Sequence, residues 1–148
     1  MQFEITGYLN KLLTDLLNSP RISIELNRTW ASQFSSKPGV YIFRLDDTIV
    51  YAGETGSIRG RMKDVVDTRN HTFRRAIGSK LYSDRTDYTK PSSKQRFCDA
   101  IECELNTYIS SNLTMSFILV ELGRKELEEK LFTIHNPEFN NKGIRITF

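Results

Sequence analysis

The chain has 148 residues, enough for one domain whose core needs no disulfide or metal staple. Apolar residues make up 39% and charged residues 26%, the balance of a soluble globular protein, and no apolar run approaches the length of a membrane span. The net charge of +3 is too mild to name a partner, although its distribution is uneven.

Residues 3–17 carry Ile5, Leu9, Leu12, Leu13, Leu16 and Leu17 at helical spacing, and Asn18-Ser19-Pro20 stops the helix. That apolar stripe is expected to be core; the other use for it is a homodimer contact. Residues 22–30 alternate briefly like a strand and stay ambiguous. Residues 32–38 form a polar connector. Val40 and Ile42, then Thr48, Ile49 and Val50, favour extended backbone, and Asp46-Asp47 between them is a turn signal. A hairpin follows. Gly53 and Gly56 break its second strand, and Ser57 is placed to cap a helix over 58–66. A second short helix is expected over 73–81, interrupted at Gly78. Residues 82–96 read as a long polar loop. A helix over 97–109, a strand over 113–122 that is apolar enough for burial on both faces, and a helix over 125–134 complete the pattern. Residues 144–148 are a candidate edge strand.

The reading is one α/β domain (an α+β sandwich): a small, mainly antiparallel three-stranded sheet, near 39–45, 48–52 and 113–122, flanked by helices. The start of the chain lacks the basic and small-residue features of a secretory signal. Cys98 and Cys103, five apart on a helix, fall on different faces and read as reduced thiols. Both point to a cytoplasmic location.

Three features bear on function. Tyr41 and Tyr51 sit on neighbouring strands, with Arg59 and Arg61 on the helix that follows; phenols beside guanidiniums suit a phosphate group. From Arg59 to Arg96 there are eleven Lys or Arg against four Asp, a net of +7, whereas Phe97 to Glu129 holds two basic residues against seven acidic. Such asymmetry hints at a nucleic-acid face. Each feature has a plainer reading: cross-strand aromatic packing for the tyrosines, a solvated surface for the arginines, and an acidic helix face for Glu128 beside Glu126 and Glu129. His135 reads as a helix C-terminal cap. The glycines at 53, 56 and 60 lack the order and the Lys-Ser/Thr partner of a nucleotide cradle.

Gly39-Val40-Tyr41 followed by Tyr51-Ala52-Gly53 resembles the paired motif of GIY-YIG nucleases. Nine residues, Ile42 to Val50, separate the triplets. The family's arginine, eight residues after the second triplet, falls on Arg61 rather than Arg59. Its later glutamate, followed by Pro nine residues on and Asn twelve on, falls on Glu128, with Pro137 and Asn140; Leu131-Phe132 fills the usual apolar pair. The resemblance covers roughly residues 38–141. The wording from Gly53 to Arg61 looks more like stand-alone bacterial or phage members and restriction-endonuclease-like ones than like the excision-repair subunit. It implies a nuclease domain over 38–148 with an added helical segment over 1–37, DNA as partner and no membrane. It further implies metal-dependent DNA endonuclease chemistry: Tyr41 as general base, Tyr51 positioning water or phosphate, Arg61 gripping phosphate, Glu128 holding one Mg²⁺ or Mn²⁺, and Asn140 orienting the site. A non-catalytic nucleic-acid-binding module with the same fold is the alternative. One position departs from the pattern. Where members often carry His, this chain has Val65, and His71 is expected to take that part from the next turn. Arg59, Lys63, Arg69, Arg74 and Arg75 are the expected contacts to the DNA backbone, a largely sequence-independent task.

Overall fold

The computed structural model describes residues 2–140. Helix α1 (Gln2–Leu17) leads into β1 (Ile22–Ser23) and a short α2 (Arg28–Ser32). The hairpin β2 (Gly39–Leu45) and β3 (Thr48–Thr55) follows, then α3 (Ile58–Asp64), α4 (Thr72–Tyr82) and α5 (Asp99–Asn112). Strand β4 (Leu113–Leu119) and α6 (Arg124–His135) close the fold. The candidate edge strand at 144–148 lies outside the described residues.

The sheet has four strands, not three, in the order β1-β4-β2-β3, and every pairing is antiparallel. The extra strand is the ambiguous segment: Ile22 and Ser23 pair with Met115 and Thr114. Two residues are too few to show alternation. The β2–β3 turn follows the local chemistry, with Asp46 at φ 55° and Leu45 opposite Thr48. Phe43 pairs with Tyr51 but Arg44 with Ile49, so Val50 is a bulge.

Helices cover both faces. On one face Tyr41, Phe43, Tyr51 and Met115 pack against Trp30, Ile58, Met62, Phe73, Ile101 and Leu105. On the other, Val40, Ile42, Ala52 and Val120 meet Leu16 of α1 and Leu127 and Leu131 of α6. Burying one such aliphatic side chain contributes about 1.5–3 kcal/mol. The stripe of α1 from Leu9 onward is therefore core: Leu9, Leu12, Leu13 and Leu17 join the second cluster, whereas Ile5 is exposed; the homodimer contact is not supported. Arg44 ties the end of this helix to the sheet, donating to Leu17 O at 3.0 Å and Ser116 Oγ at 3.0 Å. Helix α4 runs unbroken through Gly78. The glycine is there for space, since a β-carbon would fall 2.4 Å from the Phe97 ring.

Strand β3 lies at the sheet's edge, and its outward polar groups are met by the chain from Glu128 onward. Phe139 N donates to Val50 O at 3.0 Å. Asn140 accepts from Ala52 N at 3.0 Å and donates to Ala52 O at 2.8 Å. Glu128 Oε2 accepts from Glu54 N at 3.0 Å. An edge that would otherwise offer a free ladder is closed. Among the described residues, no helix is long and apolar enough to cross a membrane.

Candidate active site

Period-two alternation puts Tyr41 and Phe43 on one face of β2, and the register puts Gly53 and Tyr51 opposite them. The four positions make one patch. The Tyr41 and Tyr51 rings lie 6.1 Å apart, and Tyr51 stacks on Phe43 at 5.9 Å. Gly53 is the floor beneath Tyr41: a β-carbon there would stand 2.6 Å from both Cζ and Oη. Gly39 is equally confined, because its β-carbon would meet Ile118 O at 2.4 Å.

His71 completes the patch from the start of α4. It is fully buried, and its ring caps the helix, with Nδ1 accepting from Phe73 N at 3.1 Å. Burial, then the charges of Arg61, Arg75 and Arg74, hold the imidazole well below its ordinary pKa, so it is neutral. The Phe73 amide needs a bare Nδ1, which leaves the ring proton on Nε2. Nε2 therefore donates to Tyr41 Oη, 2.9 Å away. Tyr51 Oη lies 3.3 Å from Thr72 Oγ1 on the same helix. Arg61 rises from α3, whose cap is the expected Ser57, accepting from Gly60 N at 3.0 Å. Its Nη1 donates to Asp64 Oδ2 at 3.0 Å and Asn70 O at 3.2 Å. Burial, reinforced by Tyr51, pushes the Tyr41 phenol well above its ordinary pKa, while the charge and hydrogen bonding of Arg61 pull the other way.

Glu128 approaches from the other face, through the edge of β3. It is 8% exposed and grips the amide of Glu54, the residue next to the Tyr41 floor. The Glu54 carboxylate is itself held by Arg124 at 3.1 Å. Among the described residues no three His, Cys, Asp or Glu side chains gather as a metal cage. A single hard carboxylate oxygen nonetheless fits a small divalent cation that keeps most of its waters. Among the described residues the Asn140 amide hydrogen-bonds to backbone, clamping Ala52 on both sides, one residue from Tyr51 and one from Gly53.

The family profile of the GIY-YIG catalytic domain matches residues 27–146. The chain belongs to the GIY-YIG family. Among solved structures it is similar to the N-terminal endonuclease domain of UvrC from Thermotoga maritima. The magnesium-bound form of that domain is 17% identical, with 76% of this chain and 93% of that one covered and a TM-score of 0.40. Two point mutants of it bound to a divalent cation match at 16% and 17% identity, with 92% of each covered and the same TM-score. No curated protein sequence matches the chain.

Both GIY-YIG glycines are thus required for room, and both tyrosines are brought beside Arg61 and His71. The basic residues fare less uniformly. Arg74 is 1% exposed, and its guanidinium is turned to protein partners. It donates to Glu102 Oε1 at 2.5 Å, Asn106 Oδ1 at 2.7 Å and Thr68 Oγ1 at 3.0 Å, locking α4 to α5. Charge counts include it with the surface because Glu102 is distant in sequence. Arg75 donates to Thr68 O and Arg69 O, and Arg69 forks onto Asp67, which it draws down to about 2. Arg59 Nε donates to Phe34 O at 2.9 Å. Lys63 is exposed and makes no ion pair among the described residues. Two further residues touch the site, Asp64 at Arg61 and Thr72 at Tyr51. Asp64 could have been found, since it stands three residues after Arg61 on a helix; Thr72 carried no signal.

Proposed function

We propose that this GIY-YIG protein is a divalent-metal-dependent DNA endonuclease. The observation that carries the reading is the buried Tyr41–His71 hydrogen bond, with Arg61 beside it and the Glu128 carboxylate on the adjoining Gly53–Glu54 peptide. Hydrolysing a phosphodiester requires a deprotonated water, charge stabilisation on the phosphate and an outlet for the leaving oxygen.

Each residue has a part. As phenolate, Tyr41 Oη accepts a proton from water, and that phenolate is stabilised by the His71 Nε2–H and the Arg61 charge. His71 is a donor in this scheme and not a base, because its Nδ1 is committed to Phe73. Arg61 offers a planar fork to the phosphate oxygens, and Asp64 and Asn70 O hold the fork in place. The Tyr51 hydroxyl orients water or phosphate. Asn140 positions Tyr51 and Gly53 through Ala52. Glu128 would hold the cation, Mg²⁺ or Mn²⁺, which when bound would supply Lewis-acid charge to the phosphate and to the leaving oxygen.

One observation favours the alternative of a binding module without catalysis: Tyr41 and His71 are both 0% exposed. Cleavage of supercoiled plasmid in Mg²⁺ or Mn²⁺ separates the two. Nicked or linear product from the wild type, reduced about 10²-fold or more by Glu128→Ala, supports the endonuclease. DNA binding with no cleavage in either metal supports the module.

A further inference from the structure

A groove of about 670 Å³ runs between α2 and the end of α3. Arg28, Thr29 and Ser32 form one wall; Lys63, Asp64 and Asn70 form the other. It adjoins the candidate site through Arg61, whose guanidinium donates to two of its lining residues, at Asp64 Oδ2 and Asn70 O. Two acids line it, but both are engaged. Asp64 is paired with Arg61 and Asp67 with Arg69. Arg28 and Lys63 are exposed and make no ion pair among the described residues, so the groove's uncompensated charge is positive.

We propose that this groove seats the sugar-phosphate backbone of the DNA strand next to the scissile phosphate, with Arg28 and Lys63 each on one phosphate. The proposal rests on the endonuclease reading and extends it to α2, which supplies half of the groove. Lys63 lines the groove directly, and Arg61 is joined to it through Asp64 and Asn70. The hydroxyl of Thr29 and the amide of Asn70 add neutral partners of the kind that fix register on a backbone without reading bases.

The test is binding of a fluorescein-labelled duplex in EDTA, where no cleavage proceeds, followed by anisotropy across a salt series. Each phosphate neutralised contributes about 0.9 to the slope of log affinity against log salt. Arg28→Gln combined with Lys63→Gln lowers that slope by about 2, and raises the KM for plasmid with kcat unchanged. Lys11→Gln combined with Arg21→Gln makes the same charge change away from the groove and keeps the wild-type slope. An unchanged slope in the groove variant, with the wild type binding and cleaving, overturns the groove and leaves the endonuclease standing. A wild type that neither binds nor cleaves overturns both. Matching thermal melts show that the variants are folded.

Discussion

Gly53 lies against the ring of Tyr41 so closely that a β-carbon would stand 2.6 Å from Tyr41 Oη. That hydroxyl is also held by the His71 ring, 2.9 Å away. The ring therefore cannot yield without breaking its hydrogen bond. Gly53→Ala is expected to displace Tyr41 and lower kcat by about 10²-fold, the cost of misplacing a reacting group by an ångström. The melting temperature should fall as well. Plasmid cleavage and a thermal melt test this, and near-wild-type kcat would mean that Tyr41 is not where catalysis needs it.

Tyr41 titrates above the ordinary phenol range because it is buried, and as a general base it must be ionised. The phenolate fraction then rises about tenfold per pH unit below the pKa. The rate at saturating DNA should climb steadily through neutral and alkaline pH with no plateau before about pH 9. Tyr41→Phe should remove the activity along with the slope. A plateau near neutrality would assign the proton transfer to another group.

Acid should act on the fold through His71. The folded ring stays neutral, whereas a histidine in the unfolded chain takes a proton below about pH 6.5, so the unfolded state binds more protons there. Stability is complete above about pH 6.5 and falls as pH drops, by up to about 1.4 kcal/mol per unit. His135, the other histidine, is shifted the same way by burial and then by Arg44. Urea denaturation between about pH 7 and 5 should show the loss, with a shallower slope in His71→Gln that retains the His135 share.

Arg74 and Glu102 form an ion pair with side chains only 1% and 12% exposed. Removing one member strands the other charge, so Arg74→Met or Glu102→Gln alone should cost about 3–5 kcal/mol. The double variant should cost less than the sum. A denaturation cycle measures the coupling. Costs that simply add would show the two groups to be independent.

Asn140 spends both ends of its amide on Ala52. Asn140→Asp keeps the acceptor but turns a second oxygen toward Ala52 O, leaving that carbonyl unpaired. A loss of about 1–3 kcal/mol follows. Cleavage should fall too, while the salt slope of DNA binding stays at the wild-type value.

Much of this could be read from the chain because it is local. The hairpin and its Asp46 turn follow from β-propensity and turn chemistry, which also place Tyr41 and Tyr51 on neighbouring strands; that the two share a face depends on the Val50 bulge, which shifts the register by one residue. The Ser57 cap depends on its own neighbours. What escaped depends on distant parts of the chain. Arg74 counts as surface charge until Glu102 is seen beneath it, and Gly78 reads as a helix break until Phe97 is seen above it. The two residues of β1 are a strand only because Met115 and Thr114 receive them. His71 has no spacing that ties it to Tyr41; its role emerges from a helix cap that aims one nitrogen inward.

The closure of β3 by Phe139, Asn140 and Glu128 has a consequence for the protein in solution. A chain ended after α6 would lose Phe139 from the margin of one hydrophobic layer and bare the Val50 carbonyl and both polar groups of Ala52. Those groups lie in one row on a strand rich in β-branched and aromatic side chains, the template on which other chains add as strands. The last turn of the described chain is thus expected to keep separate molecules apart, and proteolytic trimming there should be read first as turbidity.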